Sequence, residues 1–211
     1  MRSKTLSWIC AALLVAIAGS IAFVDRPLAL FTQQQLGGLT SVAGAITTAL
    51  EWIFAFEVSK YLYAFVLLLV GAALHVIDRR VTRARFAYLV GATLLLSRVI
   101  SGTLKNVFER VRPHEFIKSG EAADFFVDGG SSFPSGHSAF YFGLFFPLAL
   151  LFPRLKWLFL GIAAIAALAR VFELDHYLGD ILASALVAVL LVFLLAKVFR
   201  IQPVGPTNPS T

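Results

Sequence analysis

The chain has 211 residues, 59% of them hydrophobic, and a mean hydropathy of +0.84, against the roughly 45–50% apolar content of ordinary soluble domains. That composition excludes a soluble globular domain and marks an integral membrane protein. The formal charge of +6 is scattered around the ends of apolar stretches and forms no continuous basic tract, which speaks for topology and against a nucleic-acid partner. A single cysteine, Cys10, excludes an intrachain disulfide and any cysteine-based metal or redox pair.

Taken in order, the apolar stretches predict an all-α, polytopic membrane protein with six transmembrane helices at residues 6–24, 58–77, 86–104, 138–152, 155–171 and 177–198, read against the ~20 residues a helix needs to cross hydrocarbon. The first follows Arg2 and Lys4 and contains Ala16-Ile17-Ala18, features shared with a cleaved signal peptide; the uncharged run continues to Val24 and favours an uncleaved span. Residues 27–52 mix Gln33, Gln34, Gln35, Gly37 and Gly38 with Leu28, Leu30, Phe31 and Leu36, and read as short interfacial helices on the outer leaflet. The fourth span is short and carries Pro147. Residues 203–211, rich in proline and polar side chains, read as a disordered cytoplasmic tail. Without an internal repeat, residues 1–202 form one domain, with 110–136 as the loop that carries much of the site.

Orientation follows from the basic residues. With the N-terminus inside, Arg2, Lys4, Arg79, Arg80, Arg83, Arg85, Arg154, Lys156, Lys197 and Arg200 are cytoplasmic, as the positive-inside rule requires, and only Asp78 among the carboxylates joins them. Three motifs fall together on the other side. Ionisable groups at such positions are costly near hydrocarbon and mark a functional site by default.

The first motif is Lys105-x6-Arg112-Pro113. Arg98, Lys105 and Arg112 are spaced seven and seven, so a continuous helix would return them to within ~20° of one face. Pro113 disfavours helix at Arg112 and ends it nearby. A lysine point charge and an arginine fork suit a phosphoryl group; equally, Lys105, Arg110 and Arg112 suit snorkelling to headgroups. The second motif, Phe133-Pro134-Ser135-Gly136-His137, precedes an apolar helix. Ser135 is then the N-cap, Gly136 lets backbone approach an anion at the helix N-terminus, and His137 in the first turn can act as general acid. An ordinary capped helix with an incidental histidine reads the same fragment. The third is Arg170-x5-His176-x3-Asp180. A turn at Glu173 to Asp175 lets Arg170 and His176 converge, while His176 and Asp180, four apart, stack on one side of the last span. The carboxylate would fix the tautomer and free the other nitrogen to attack. A metal half-site is the alternative, with His137, His114 or Glu173 as its further ligands.

These three motifs, in this order and on this span pattern, resemble the type-2 phosphatidic acid phosphatase superfamily, over residues from about Val58 to Val198. Ala169 stands where that family usually has serine before the arginine, so one phosphate-binding hydroxyl is missing. The resemblance implies a bacterial inner-membrane lipid phosphatase with its site at the periplasmic ends of spans 3 to 6. His176 would be the nucleophile that forms a phosphohistidine, Asp180 its orienter and His137 the proton donor. Lys105, Arg112, Ser135, Gly136 and Arg170 would bind the phosphoryl oxygens, with no metal or other cofactor. Soluble vanadium haloperoxidases share the signature, but this chain is not soluble.

Arg98, outside the signature, lies about two turns below Lys105 and is expected to face the bundle and support the site from beneath. The partners implied are a lipid phosphate or pyrophosphate and membrane lipids, with no obligate protein partner evident. Candidate substrates are undecaprenyl pyrophosphate, phosphatidylglycerophosphate, phosphatidic acid and the 1-phosphate of lipid A. Phe116, Phe125 and Phe126, beside Lys118, Glu121, Asp124 and Asp128, would cover the site and select a headgroup. A catalytically silent lipid-phosphate binder or flippase is the competing function.

Overall fold

The computed structural model describes residues 3–54, 59, 61–77, 81–120, 126 and 129–201. Arg2, Asp78, Arg79, Arg80, Glu121, Asp124, Phe125, Asp128, the start of the second expected span and the 203–211 tail lie outside them. Every regular element among the described residues is helical.

The first helix, α1 (Ser3–Gly19), passes through a π-helical turn (Ser20–Val24) into α2 (Asp25–Gln35), making one rod from Lys4 to Gln35. The expected break at Val24 is therefore absent. Pro27 falls in the first turn of α2, where a proline is tolerated, and Asp25 is buried. After Leu36 comes α3 (Gly37–Ile53), a single 17-residue helix in place of the several short ones expected. Its Thr40 hydroxyl donates to the Phe172 carbonyl at 3.1 Å, which holds it against the bundle.

The remaining helices are α4 (Leu62–Ile77), α5 (Val81–Phe108), the short α6 (Pro113–Lys118), α7 (Gly136–Leu151), α8 (Lys156–Phe172) and α9 (Leu178–Val198). Four rods, those containing α1 with α2, α5, α8 and α9, are long and apolar enough to cross a membrane. The apolar α4 and α7 have 16 residues each, about 24 Å of helix against ~30 Å of hydrocarbon.

At the centre is α7, packed on α5, α8 and α9. It is apolar on every side and buried from Ser138 through Phe145, as a helix surrounded by helices must be. Small residues bring the backbones close: a β-carbon on Gly143 would stand 3.0 Å from the Leu94 Cα, and Ala163, Ala166, Ala167, Ala185 and Ala188 fill the α7–α8–α9 seams. Close approach of this kind is how apolar helices associate in lipid. Trp8, Phe23, Leu69, Ile77 and Trp157, all exposed, point outward. The end of α5, the start of α7, the end of α8 and the start of α9 meet at one end of the bundle.

Candidate active site

Each motif reaches that end through a local backbone device. At the end of α5, Glu109 adopts a left-handed φ of 43° and the chain leaves the helix after Phe108. Arg112 is thus off the helical stripe that the seven-residue spacing predicts; it sits extended as the N-cap of α6, with Pro113 next and its N–H donating to the Glu115 carboxylate at 3.0 Å. Residues 109–110 pair instead with the loop before α7: Gly130 N–H to Glu109 O at 3.0 Å and Ser132 N–H to Arg110 O at 2.8 Å. A β-carbon on Gly130 would lie 2.3 Å from the Arg110 carbonyl oxygen. Backbone cannot give way there, so Gly130→Ala should destabilise the protein by about 1–3 kcal/mol, visible as a lower Tm in detergent.

At the start of α7, Ser135 is the N-cap, accepting from Ser138 N–H at 3.3 Å and from the Ser138 hydroxyl at 2.9 Å. Its side chain is fully buried and turned into this cap, so the cavity wall is built by its neighbours Gly136 and His137. The Arg98 guanidinium donates to the Gly136 carbonyl, which places it beneath the α7 start and in the cavity lining. His137 Nε2 is 2.7 Å from Glu51 Oε1, an α3 carboxylate.

At the end of α8, Leu174 takes φ 60° and closes a Schellman turn, Leu174 N–H to Val171 O and Asp175 N–H to Arg170 O, 3.0 and 3.2 Å. His176 N–H also reaches the Arg170 carbonyl, at 3.1 Å. This turn brings Arg170 and His176 to one place although a helix would separate them. Arg170 is paired with Glu173 at 2.6 Å and with Asp175; Glu173 also accepts from Thr47 of α3 at 3.0 Å. Asp175 lies 3.6 Å from Arg112 and 3.5 Å from His114.

Lys105, Arg112, Arg170, Arg98, Gly136, His137 and His176 therefore border one cavity of about 310 Å³, with Tyr61 and Gly102 completing it. Lys105 also donates to the Ser131 carbonyl at 2.6 Å, and Arg112 to the Ser131 hydroxyl at 3.4 Å. His176 is almost wholly buried. Its Nδ1 faces Asp180 Oδ2 and the Ser132 hydroxyl, both at 3.5 Å, which leaves Nε2 as the nitrogen for the cavity. Asp180 Oδ2 is itself fixed by the Ser132 hydroxyl at 2.5 Å and by Tyr177 N–H at 2.8 Å. Burial pushes the His176 imidazole below its ordinary range, opposed by Asp180. The ring is thus neutral, with a free lone pair, near pH 7.

Several neighbours carry no motif signal in the sequence. Arg110, for which the sequence offers snorkelling as one alternative, is completely buried between Asp180 Oδ1 at 2.5 Å and Asp25 Oδ2 at 2.7 Å. Asp25, Glu51 and Ser132 were not singled out. Of the loop aromatics, Phe116 is buried with the Arg26 guanidinium 5.1 Å from its ring, and Phe126 lies 5.2 Å from the Arg110 guanidinium. Among the described residues, no three His, Cys, Asp or Glu side chains gather as a metal-holding group.

Fold and cavity define a multi-pass helical membrane protein with a cavity lined by arginines, a lysine and two histidines. The chain belongs to the PAP2 superfamily, whose profile matches residues 86–202. A lipid A 1-phosphatase of Rhizobium johnstonii is 34% identical over 113 residues, covering 50% of this chain and 46% of that protein. The lipid A 1-phosphatase of Rhizobium etli is 29% identical over 181 residues, covering 80% and 74%. The match thus spans about half the length of the first relative and about three quarters of the second. Among solved structures, a transmembrane PAP2-type phosphatidylglycerolphosphate phosphatase from Bacillus subtilis superposes with a TM-score of 0.58 at 22% identity, covering 96% of this chain and 98% of the other.

Proposed function

We propose that this protein is a membrane lipid phosphatase that hydrolyses a phosphate monoester or diphosphate on a lipid headgroup through a phosphohistidine. The observation that carries the proposal is the convergence of a neutral, carboxylate-backed His176, a second histidine and three cations on one cavity. Lys105, Arg112 and Arg170 face the phosphoryl oxygens, and the Gly136 end of α7 adds its N-terminal dipole. His176 Nε2 attacks phosphorus as the bond to the lipid oxygen breaks, and His137 gives that oxygen a proton. Water, giving a proton to His137, then attacks the phosphorus of the phosphohistidine; the P–N bond breaks, inorganic phosphate leaves and the imidazole is restored. Asp180 holds Nδ1–H and stabilises the charge that develops on the ring. These side chains complete both steps without a metal ion.

Topology is part of the same reading. The described basic residues Lys4, Arg83, Arg85, Arg154, Lys156, Lys197 and Arg200 occupy helix ends away from the cavity. With α4 and α7 counted as spans, six crossings put both termini in the cytoplasm and the site on the periplasmic face of an inner membrane. The names of the Rhizobium relatives favour the 1-phosphate of lipid A as substrate.

The test is phosphate release by purified protein from lipid A 1-phosphate, phosphatidic acid, phosphatidylglycerophosphate and undecaprenyl pyrophosphate, each with and without EDTA. Release from lipid A 1-phosphate, undiminished by chelation, is the expected result. No release from any of the four overturns the phosphatase reading, and loss on chelation overturns the metal-free steps.

A further inference from the structure

Among the described residues, Arg110 is the largest side chain that is fully buried. It leaves the extended stretch after α5, and its two terminal nitrogens divide between two carboxylates, Nη1 to Asp180 at 2.5 Å and Nη2 to Asp25 at 2.7 Å. The Tyr177 ring lies 4.2 Å from the guanidinium carbon, closing one face. Asp25 is equally committed: its Oδ1 accepts from the Ser20 hydroxyl at 2.6 Å and from Gly179 N–H, in the first turn of α9, at 3.0 Å. Ser20 and Asp25 are five residues apart, the repeat of a π-turn, and a π-turn is what joins them. Gly179 has no side chain because a β-carbon there would stand 2.8 Å from Asp25 Oδ2.

This arrangement has a direction. Asp25 aims the Arg110 fork, the fork takes Asp180 Oδ1, and Asp180 Oδ2 is left for Ser132, Tyr177 N–H and His176 Nδ1. Arg110 borders no part of the cavity. We infer that Arg110 and Asp25 are positioning residues that act through Asp180 to set the angle and proton state of His176. The inference rests on His176 being the nucleophile.

Two charges of opposite sign behind Asp180 give opposite expectations. Without the Arg110 cation, Asp180 draws the His176 proton more strongly, so the imidazole stays protonated to higher pH. Without the Asp25 anion, Arg110 is left wholly to Asp180, and the imidazole loses its proton at lower pH. The other groups around His176 and Asp180 are Lys105, Arg112, Arg170, His137, Ser132 and Tyr177, and none is altered by either change.

The experiment is a pH titration of ¹⁵N-histidine-labelled full-length protein in detergent, with the His176 signal assigned from His176→Ala, alongside the pH profile of phosphate release. Arg110→Met should raise the His176 midpoint by about one pH unit and Asp25→Asn should lower it by about half a unit. Arg110→Met should also cut kcat by roughly 10²-fold through misalignment, with KM little changed. Arg110→Lys restores the charge but not the two-carboxylate fork, so it should return the midpoint to near wild type while kcat recovers only in part. If Arg110→Met does not fold, Arg110→Lys and Asp25→Asn decide. An unmoved midpoint in Asp25→Asn or in folded Arg110→Met, or a raised midpoint in Arg110→Lys, overturns the inference. A wild-type protein that releases no phosphate leaves the NMR titration to judge the positioning claim by itself and overturns only the proposed function.

Discussion

Replacing His176 by alanine should lower phosphate release by on the order of 10⁴-fold or more, because in the proposed mechanism it removes the atom that receives the phosphoryl group. Binding should survive, since Lys105, Arg112 and Arg170 remain on the cavity wall. The variant is therefore expected to bind a non-hydrolysable lipid phosphonate with near wild-type affinity while failing to turn over its substrate. Rapid quench of wild-type enzyme and ³²P-labelled lipid into alkaline SDS should trap an acid-labile, base-stable phosphoprotein that His176→Ala does not form. Normal release by His176→Ala would end the phosphohistidine mechanism.

The second large effect is expected at His137. General acid catalysis is worth roughly 10²–10⁴ in rate, and the loss should depend on how much the departing oxygen needs a proton. With a lipid alkoxide or glycosyl oxygen leaving, His137→Ala should lose activity across that range. With p-nitrophenyl phosphate, whose phenolate leaves unaided, it should retain most of its rate. Equal losses on both substrates would place His137 in binding rather than proton transfer. Glu51, 2.7 Å from the His137 Nε2, fixes the orientation of the ring, so Glu51→Gln should follow the same leaving-group pattern with a smaller amplitude.

What could be read from the sequence divides along a physical line. Groups whose meaning is local were legible: the apolar runs that become α1, α5, α8 and α9, the Ser135 cap, and the turn at Glu173 to Asp175 that draws Arg170 and His176 together. The seven-residue stripe failed at one backbone angle, because Glu109 leaves the helix before Arg112 is reached. Arg112 arrives at the cavity by an extended path that spacing does not encode. Asp25 directly follows an apolar run, where nothing local marks it as buried. Its partner Arg110 lies 85 residues away, and Glu51 lies 86 residues from His137. Pairings at such separations leave no periodic trace in a single sequence. The one available signal was energetic: a carboxylate at the end of an apolar stretch and an arginine two residues before Arg112 each need a partner when buried.

The order in which this chain is made gives the Asp25–Gly179 and Arg110–Asp180 contacts a second importance. They join residues 154 and 70 positions apart, and both end on the first turn of α9, the last helix described. Asp25 and Arg110 are synthesised well before the carboxylate and backbone they hold. Until α9 docks, the His176–Asp180 pair lacks the Arg110, Asp25 and Ser132 contacts that fix it. On the proposed mechanism, turnover therefore waits until the last helix has joined the first.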